Sequence, residues 1–167
     1  MRTAVCSGSF DPITLGHLDI IRRAAACFDR VYVCVVPNAE NTNQMFTPEQ
    51  KLQMVQLAVE EIPNVQAELW PGLLAEFAKI HEATAIVRGV RCASDFDAEY
   101  QLAQINKGLC DHPDTIFLPA SLEYQHYSST MAREMIRYHQ PLEKYLPAAI
   151  LPLVREIRKE EKYYGQQ

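Results

Sequence analysis

The sequence lacks long apolar runs and an excess of positive charge, and each absence excludes a class of protein. Its hydrophobic stretches fall well short of the roughly 20 residues that a helix needs to cross a bilayer. Sixteen Lys and Arg residues stand against twenty-one Asp and Glu residues, so the formal charge is −5. A general affinity for nucleic acids or anionic membranes requires a net basic surface, which this composition does not supply. A small anionic ligand is compatible with it, since a few arginines and backbone N–H groups suffice to bind one.

Closely spaced cysteine pairs are also missing. The five cysteines are an odd number without a CxxC motif, and several lie in apolar runs, where a free thiol behaves as a small hydrophobic group. The spacing therefore indicates neither a disulfide framework nor a zinc site. The N-terminal segment reaches Gly8 and then Asp11-Pro12 before the core of a signal peptide could form. These features predict a reduced, cytoplasmic protein.

Repeats, low-complexity segments and linkers are absent as well, so residues 1–167 are expected to form one domain. Short β-branched runs alternate with stretches of helical period, which predicts an α/β fold: a Rossmann-like, doubly wound, five-stranded parallel sheet with helices on both faces and a C-terminal helix. The predicted strands are Thr3–Cys6, Val31–Val36, Val65–Leu69, Ala85–Val87 and Thr115–Leu118. The predicted helices are Leu15–Phe28, a helix opened by the capping-box sequence Thr47-Pro48-Glu49-Gln50, Leu73–Ile80, Asp95–Lys107, Ser128–His139 and Leu151–Glu161.

The segment after the first strand has the features of a phosphate site. In such sheets, ligands bind beyond the carboxyl ends of the strands, near the point where the strand order reverses. Gly8 and Gly16 allow close approach of a ligand, Ser9 offers a hydroxyl group, and the next helix presents unpaired N–H groups. The helix dipole disfavours a protonated His17, so a neutral N–H donor is at least as plausible as a cation. An ordinary loop with a surface histidine is the alternative.

Two other segments follow predicted strands. Arg88 and Arg91 flank a glycine and are suited to phosphoryl oxygens, although a structural network with the acidic residues that follow would use them equally well. In the second segment, the hydroxyl groups of Ser128 to Thr130 can cap a helix and can also receive a triphosphate. Apolar spacing predicts buried stripes on the helices beside both segments, formed by Phe96, Tyr100 and Ala103 on one and by Met131, Met135 and Tyr138 on the other.

Together these residues form a specific pattern. The segment G-x-F-D-P-x-T-x-G-H, from Gly8 to His17, resembles the T/HxGH signature of the nucleotidyltransferase superfamily, and its spacing is most similar to that of the phosphopantetheine adenylyltransferase family. The R-G-x-R segment at Arg88, with the D-F-x-x-E helix behind it, extends the resemblance. So does S-S-T-x-x-R at Ser128, where Tyr127 replaces the isoleucine usual in the superfamily. The resemblance covers the chain from Thr3 to about Leu146.

The resemblance implies transfer of the adenylyl group of ATP to 4′-phosphopantetheine, giving dephospho-coenzyme A and pyrophosphate. His17 would be the catalytic residue and would donate to the α-phosphate. The implied ATP-binding residues are Ser9, Phe10, His17, Gly89, Val90, Arg91, Glu99, Tyr124, Gln125, His126, Tyr127, Ser128, Ser129 and Thr130, with Arg133 a further candidate for the β- or γ-phosphate. The implied acceptor contacts are Ser9, Leu74 and Arg88. Mg²⁺ would arrive with the triphosphate, without protein ligands of its own.

One stretch departs from the family. A lysine usually precedes the Met/Leu-Phe-Thr/Ser sequence that opens the second helix, whereas this chain has Asn41-Thr42-Asn43-Gln44 there. Charge-assisted contacts to phosphate are stronger than neutral ones. The missing lysine therefore bears on how tightly the acceptor binds and on how fast it is turned over. The amides and Thr42 could give weaker support, another cation such as Lys51 could reach in, or the acceptor could differ.

The resemblance also implies a homo-oligomer, hexameric in the family, and brings in coenzyme A as a product-side or feedback ligand. One alternative is another small nucleotidyltransferase with a different phosphorylated acceptor. The other is a nucleotide-binding or redox-carrier module without catalysis. The group formed by His17, Arg88, Arg91 and Ser128–Thr130 argues against a carrier, which needs no charge-stabilising residues at an α-phosphate.

Overall fold

A five-stranded parallel sheet lies at the centre of this computed structural model, which describes residues 1–37, 44–111 and 113–164, the last five of them by their backbone alone. The strand order is β3-β2-β1-β4-β5, so the direction of winding reverses between β1 and β4. This confirms the predicted doubly wound sheet. The strands are β1 (Thr3–Gly8), β2 (Arg30–Val35), β3 (Val65–Leu69), β4 (Ala85–Val90) and β5 (Asp114–Pro119).

Among the described residues, six α-helices connect and follow the strands, close to the predicted positions. They are α1 (Leu15–Cys27), α2 (Pro48–Val59), α3 (Leu74–Ile80), α4 (Ala93–Leu109), α5 (Ser129–Arg137) and α6 (Leu151–Tyr164). The capping box that opens α2 forms as predicted, because Thr47 Oγ1 accepts the Gln50 N–H and Gln50 Oε1 accepts the Thr47 N–H at 2.9 Å. No helix in the described ranges is long and apolar enough to cross a membrane.

Helices cover both faces of the sheet, as the near-continuous apolar strands predict. Neighbouring residues of a strand point to opposite faces. Accordingly, Ala4 belongs to the larger core, which packs under α1, α2, α5 and α6, while Val5 belongs to a smaller core around Phe77 of α3. Beyond the carboxyl ends of β1 and β4, the polar residues are therefore held by a sheet that is packed from two sides.

The predicted buried stripes on α4 and α5 are wrong. No residue of α4 is buried, and Tyr100 is 50% exposed. On α5 the buried residues are Ala132 and Ile136, whereas Tyr138 is 69% exposed just past the helix end. The apolar spacing on α4 identifies one face of the helix, and Phe96 on that face contacts Phe117 of β5 at 5.1 Å between ring centroids, but this contact leaves Phe96 42% exposed.

A buried ion cluster joins the loop after β1 to α2 and α5. The Asp11 carboxylate, 2% exposed, accepts the N–H groups of Met45 and Phe46 at 3.0 Å. Its oxygens lie 3.7 Å from Lys51 Nζ and 3.4 Å from Arg133 Nη1. Burial lowers the pKa of Lys51, which is fully enclosed, while the adjacent Asp11 raises it. The Asp11 carboxylate therefore connects its own loop to the segment before α2, to α2 itself and to α5, because each of these three contacts it.

We expect Asp11→Asn to lower the free energy of unfolding by about 3–5 kcal/mol, because it leaves the buried Lys51 cation without a carboxylate. Denaturant unfolding followed by circular dichroism would measure the loss. The matched control is Asp29→Asn, which alters an exposed pair with Arg2 at 3.9 Å and should change stability by less than about 1 kcal/mol. Equal losses in the two variants would contradict a structural role for the buried cluster.

Candidate active site

Two adjoining cavities open at the point where the strand order reverses. One, of about 370 Å³, is lined by the loop after β1, the start of α1, the end of β4 and the turn before α5, and is termed the polar cavity. The other, of about 420 Å³, extends toward α3 and α4 past Leu74, Ile86 and Leu102, and is termed the apolar cavity. The two share one wall, formed by Ser7, Gly8, Ser9, Arg88 and Glu99.

The polar cavity brings together most of the residues predicted to bind ATP. Those that line it are Ser9, Phe10, His17, Gly89, Arg91, Glu99, Tyr124, Tyr127, Ser128, Ser129 and Thr130, together with Arg88. Val90, Gln125 and His126 do not line it, although the Gln125 amide donates to the carbonyl of Arg91 at 3.4 Å and so ties the turn before α5 to β4. Leu74 lines the apolar cavity, as its predicted contact with the acceptor requires.

Thr14 determines the orientation of His17. Thr14 is the N-cap of α1, and its Oγ1 accepts the His17 N–H at 3.4 Å. In return, the Nδ1 atom of His17 accepts the Thr14 N–H at 3.0 Å. A neutral imidazole that accepts at Nδ1 carries its hydrogen on Nε2. The ring therefore presents a donor on the nitrogen that Thr14 leaves free, and this ring lines the polar cavity.

The charge state of His17 follows from its surroundings. Burial lowers its pKa from the ordinary value to about 4, and the positive charges of Arg88 and Arg91 add to the decrease. The start of α1 also disfavours a positive charge on the ring. Of the two states that the sequence leaves open, the geometry and the pKa both favour the neutral donor at physiological pH.

Phe10 shapes the loop that leads to His17. Its backbone adopts a left-handed conformation with φ of 46°, which costs a bulky residue about 1–3 kcal/mol. Its buried ring packs edge-on to His17 at 5.2 Å between centroids. The same ring lies beneath Gly8, where a Cβ atom would sit 3.1 Å from it. A side chain at position 8 would therefore press on the Phe10 ring, which in turn packs against His17.

Arg88 and Arg91 are held by carboxylates in the wall of the polar cavity. Glu99 binds Arg88 at two points, Nε and Nη2, each at 2.6 Å, and Arg88 Nη1 also donates to the backbone oxygen and hydroxyl of Ser7. Arg91 pairs with Asp95 at 2.7 and 3.2 Å. The structural network that the sequence offers as an alternative is thus present. It is compatible with ligand binding, because the paired guanidinium groups still line the cavity and are fixed in orientation.

The hydroxyl groups at the start of α5 differ in what they can donate. Ser128 caps the helix, so its oxygen accepts an N–H of the first turn at 3.1 Å. Thr130 Oγ1 accepts from Arg133 Nη2 at 3.1 Å. The hydrogens of both hydroxyl groups therefore remain available to an anion. Ser129 Oγ donates to the carbonyl of Pro12 at 2.8 Å, so Ser129 would contact a ligand through its backbone N–H.

Two cations considered for phosphate binding lie outside the cavity. Lys51 is fully buried and donates to Gln44 and Asp11, so it does not replace the lysine that the family carries before α2. Arg133 donates to the backbone oxygen of Asp11 at 2.8 Å and to Thr130. Of the stretch that departs from the family, Asn41-Thr42-Asn43 lies outside the described residues, whereas Gln44 accepts a hydrogen bond from Lys51.

Sequence reasoning assigned no role to Ser7, Thr14 or Asp11. The signal for Thr14 is present in the chain, since Thr14-x-x-His17 has the spacing of a capping box with histidine in place of Glu or Gln. Ser7 gives no such signal, because its partner Arg88 is 81 positions away. In the described ranges, no group of three or more His, Cys, Asp or Glu side chains could hold a metal ion.

Comparisons with known proteins agree with this site. The cytidylyltransferase-like family matches residues 5–135. A phosphopantetheine adenylyltransferase of Heliobacterium modesticaldum is 42% identical over 98% of this chain and 94% of its own length. One of Actinobacillus pleuropneumoniae serotype 3 is 42% identical over 92% of this chain and 97% of its own length.

A solved structure from Vibrio parahaemolyticus, assigned as a nicotinate-nucleotide adenylyltransferase, covers all of this chain and 98% of that chain with a TM-score of 0.68. At 20% identity, this likeness concerns the fold alone. The curated relatives are much closer in sequence and match almost end to end. The chain therefore belongs to the phosphopantetheine adenylyltransferases, within the cytidylyltransferase-like nucleotidyltransferases.

Proposed function

We propose that this enzyme works in the cytoplasm and transfers the adenylyl group of ATP to 4′-phosphopantetheine, forming dephospho-coenzyme A and pyrophosphate. The observation that carries the proposal is the wall common to two unlike cavities. The polar cavity suits a nucleotide and its phosphates, and the apolar cavity suits the pantetheine arm. Ser9 and Arg88, in the common wall, stand where the phosphate of one substrate meets the α-phosphate of the other.

The reaction needs no general base, because the acceptor phosphate is already an oxyanion. One of its oxygens attacks the α-phosphorus, the bond from that phosphorus to the β-phosphate oxygen breaks, and pyrophosphate leaves with the electron pair. Catalysis then consists of alignment and of stabilising the charge that develops on the α-phosphate oxygens. The Nε2–H of His17 is the donor for that charge, and a neutral imidazole does so without releasing a proton.

The phosphates of ATP are bound by donors rather than by a cage of acidic residues. The hydroxyl hydrogens of Ser128 and Thr130 and the first N–H groups of α5 serve the β- and γ-phosphates. The backbone of Ser9 and Phe10 and the start of α1 serve the α-phosphate. Mg²⁺ belongs to this proposal as part of the MgATP complex, since the ion prefers water and phosphate oxygens and the cavity is lined by groups that match phosphate.

Coenzyme A carries the same pantetheine arm as the acceptor. Within this proposal it binds in the apolar cavity past Leu74 and competes with 4′-phosphopantetheine. Coenzyme A is therefore a product-side ligand that slows the enzyme when coenzyme A accumulates.

A homohexamer is also part of this proposal. Its support is the exposed apolar face of α4 near its carboxyl end, where Ile105 and Leu109 lie one turn apart and are 57% and 54% exposed, a patch of the kind that marks subunit contacts. Sedimentation velocity should give a species larger than the monomer, and a monomer at every concentration would contradict the assembly.

The central experiment measures pyrophosphate release from MgATP with 4′-phosphopantetheine, and mass spectrometry of the product. We expect dephospho-coenzyme A and pyrophosphate in equal amounts. A panel of other phosphorylated acceptors, and CTP in place of ATP, serves as the control. Turnover with a different acceptor alone would refute the proposed acceptor, and ATP binding without pyrophosphate release from any acceptor would refute catalysis.

We expect His17→Ala to lower kcat by about 10²–10³-fold, as for the loss of one preorganised donor at a developing oxyanion. KM for ATP should change much less, because the donor acts mainly in the transition state. His139→Ala removes an exposed imidazole that lines neither cavity, and it should leave kcat unchanged. A His17→Ala enzyme with near-normal kcat would remove His17 from the chemistry.

The lowered pKa of His17 predicts an acid-side loss of stability. The unfolded chain binds this proton near pH 6.5 and the folded chain only near pH 4, so protons favour the unfolded state between these values. Stability should therefore fall as the pH decreases from 6.5 to 4 and receive no contribution from His17 above 6.5. His17→Gln retains an acceptor for the Thr14 N–H and lacks the titrating ring. Measured against it, the wild type should lose stability below pH 6.5, and parallel pH curves would contradict the lowered pKa.

A further inference from the structure

We infer that Arg133 is a positioning residue, which aims the hydroxyl group of Thr130 at the triphosphate while it is itself anchored on Asp11; the inference rests on the proposed function. Arg133 lies one turn after Thr130 on α5, and its side chain is 14% exposed. It does not line the polar cavity, whereas Thr130 does. Its effect on a ligand must therefore pass through Thr130.

The guanidinium group of Arg133 spans two parts of the site. Nη1 donates to the backbone oxygen of Asp11 at 2.8 Å and lies 3.4 Å from the carboxylate Oδ2. Nη2 donates to Thr130 Oγ1 at 3.1 Å. Both ends of the planar group are thus engaged, and its plane cannot rotate without breaking one of these bonds.

The direction of the Thr130 bond determines what its hydroxyl group can do. A guanidinium group has no acceptor, so Thr130 is the acceptor in this bond and keeps its own hydrogen for another partner. Thr130 is the second residue of α5, so the carbonyl groups three and four positions earlier, which a threonine inside a helix tends to bind, precede the helix here. With Arg133 in place, the hydrogen is free for a phosphate oxygen in the polar cavity.

Asp11 makes this arrangement a link between two phosphate positions. It belongs to the same loop as Phe10 and Thr14, which orient His17 by ring packing and by the helix cap. Arg133 joins this loop to Thr130 on α5. The arrangement therefore fixes the separation between the donor for the α-phosphate and a donor for the outer phosphates.

Lys51 provides a matched comparison for Arg133. It is the second cation on the Asp11 carboxylate, at 3.7 Å, and it is fully buried. It pairs with Asp11 and donates to Gln44, and it lines neither cavity. If Arg133 mattered only for stability, replacing either cation would have the same kinetic consequence.

The test compares Arg133→Met, Thr130→Val, the double variant and Lys51→Met. The dissociation constant of MgATP is measured by titration calorimetry without acceptor, and KM and kcat are measured by pyrophosphate release. Arg133→Met and Thr130→Val should each weaken MgATP binding about 10-fold, as for the loss of one hydrogen bond to a charged group. The double variant should stay within about twofold of the weaker-binding single variant, since both changes remove the same contact. Lys51→Met should lower the unfolding temperature and leave the MgATP dissociation constant within about twofold of the wild type.

Two results would overturn the inference. One is multiplication of the single effects in the double variant, which would mean that Arg133 contacts ATP independently of Thr130. The other is a loss of MgATP affinity in Lys51→Met equal to that in Arg133→Met. If Arg133→Met does not fold, Arg133→Lys takes its place, because lysine can keep the Asp11 contact but cannot bridge to Thr130. The MgATP dissociation constant of Arg133→Lys should then equal that of Thr130→Val. Wild-type affinity in Arg133→Lys would also refute the role of the Arg133 guanidinium group.

The titration without acceptor separates this inference from the proposed function. A wild type that binds MgATP but does not use 4′-phosphopantetheine would refute the proposed acceptor and leave the comparison of Arg133 with Lys51 intact. A wild type that binds no MgATP would overturn both.

Discussion

The incomplete pairing of β1 with β4 is the constraint on which the site depends. Strand β1 pairs with β2 from Thr3 to Gly8. Its pairing with β4 is shorter and ends at Cys6 and Val87. The next residues, Ser7 and Arg88, are joined by the arginine side chain instead of by backbone hydrogen bonds. The sheet therefore opens where its winding reverses, and the opening is bridged by a cation. Both cavities and the loop that carries His17 begin at this opening.

The polar cavity is organised by the protein's own contacts. Carboxylates hold Arg88 and Arg91 in fixed orientations, and a backbone N–H holds the imidazole of His17 in one tautomer. Arg88, Arg91 and His17 therefore present donors in the wall of the cavity, while the carboxylates of Asp95 and Glu99 are engaged with the two arginines. This is the type of site that a reaction between two phosphates requires, because the nucleophile is already charged and the need is for stabilisation of negative charge.

Much of the fold and part of the site can be predicted from the sequence. Alternating apolar strands and helical periods lead to the parallel sheet, and the motif from Gly8 to His17 leads to the histidine that lines the polar cavity. The exposure of α4 could not be predicted, because periodicity identifies an apolar face without saying what covers it. The burial of Lys51 could not be predicted either, since it depends on a contact with Asp11, 40 positions earlier in the chain. Contacts between such distant positions are decided by packing and have no local signal.

The ion pair of Arg88 with Glu99 belongs to the walls of both cavities. A ligand in one cavity changes the electric field around this ion pair and restricts its movement. A ligand in the other cavity contacts the same ion pair. In the proposed function both ligands therefore contact this ion pair, and thermodynamic linkage makes any influence between them mutual: if the nucleotide alters the affinity for its co-substrate, the co-substrate alters the affinity for the nucleotide by the same factor. A single salt bridge thus gives this small enzyme a means of communication between its two ligands.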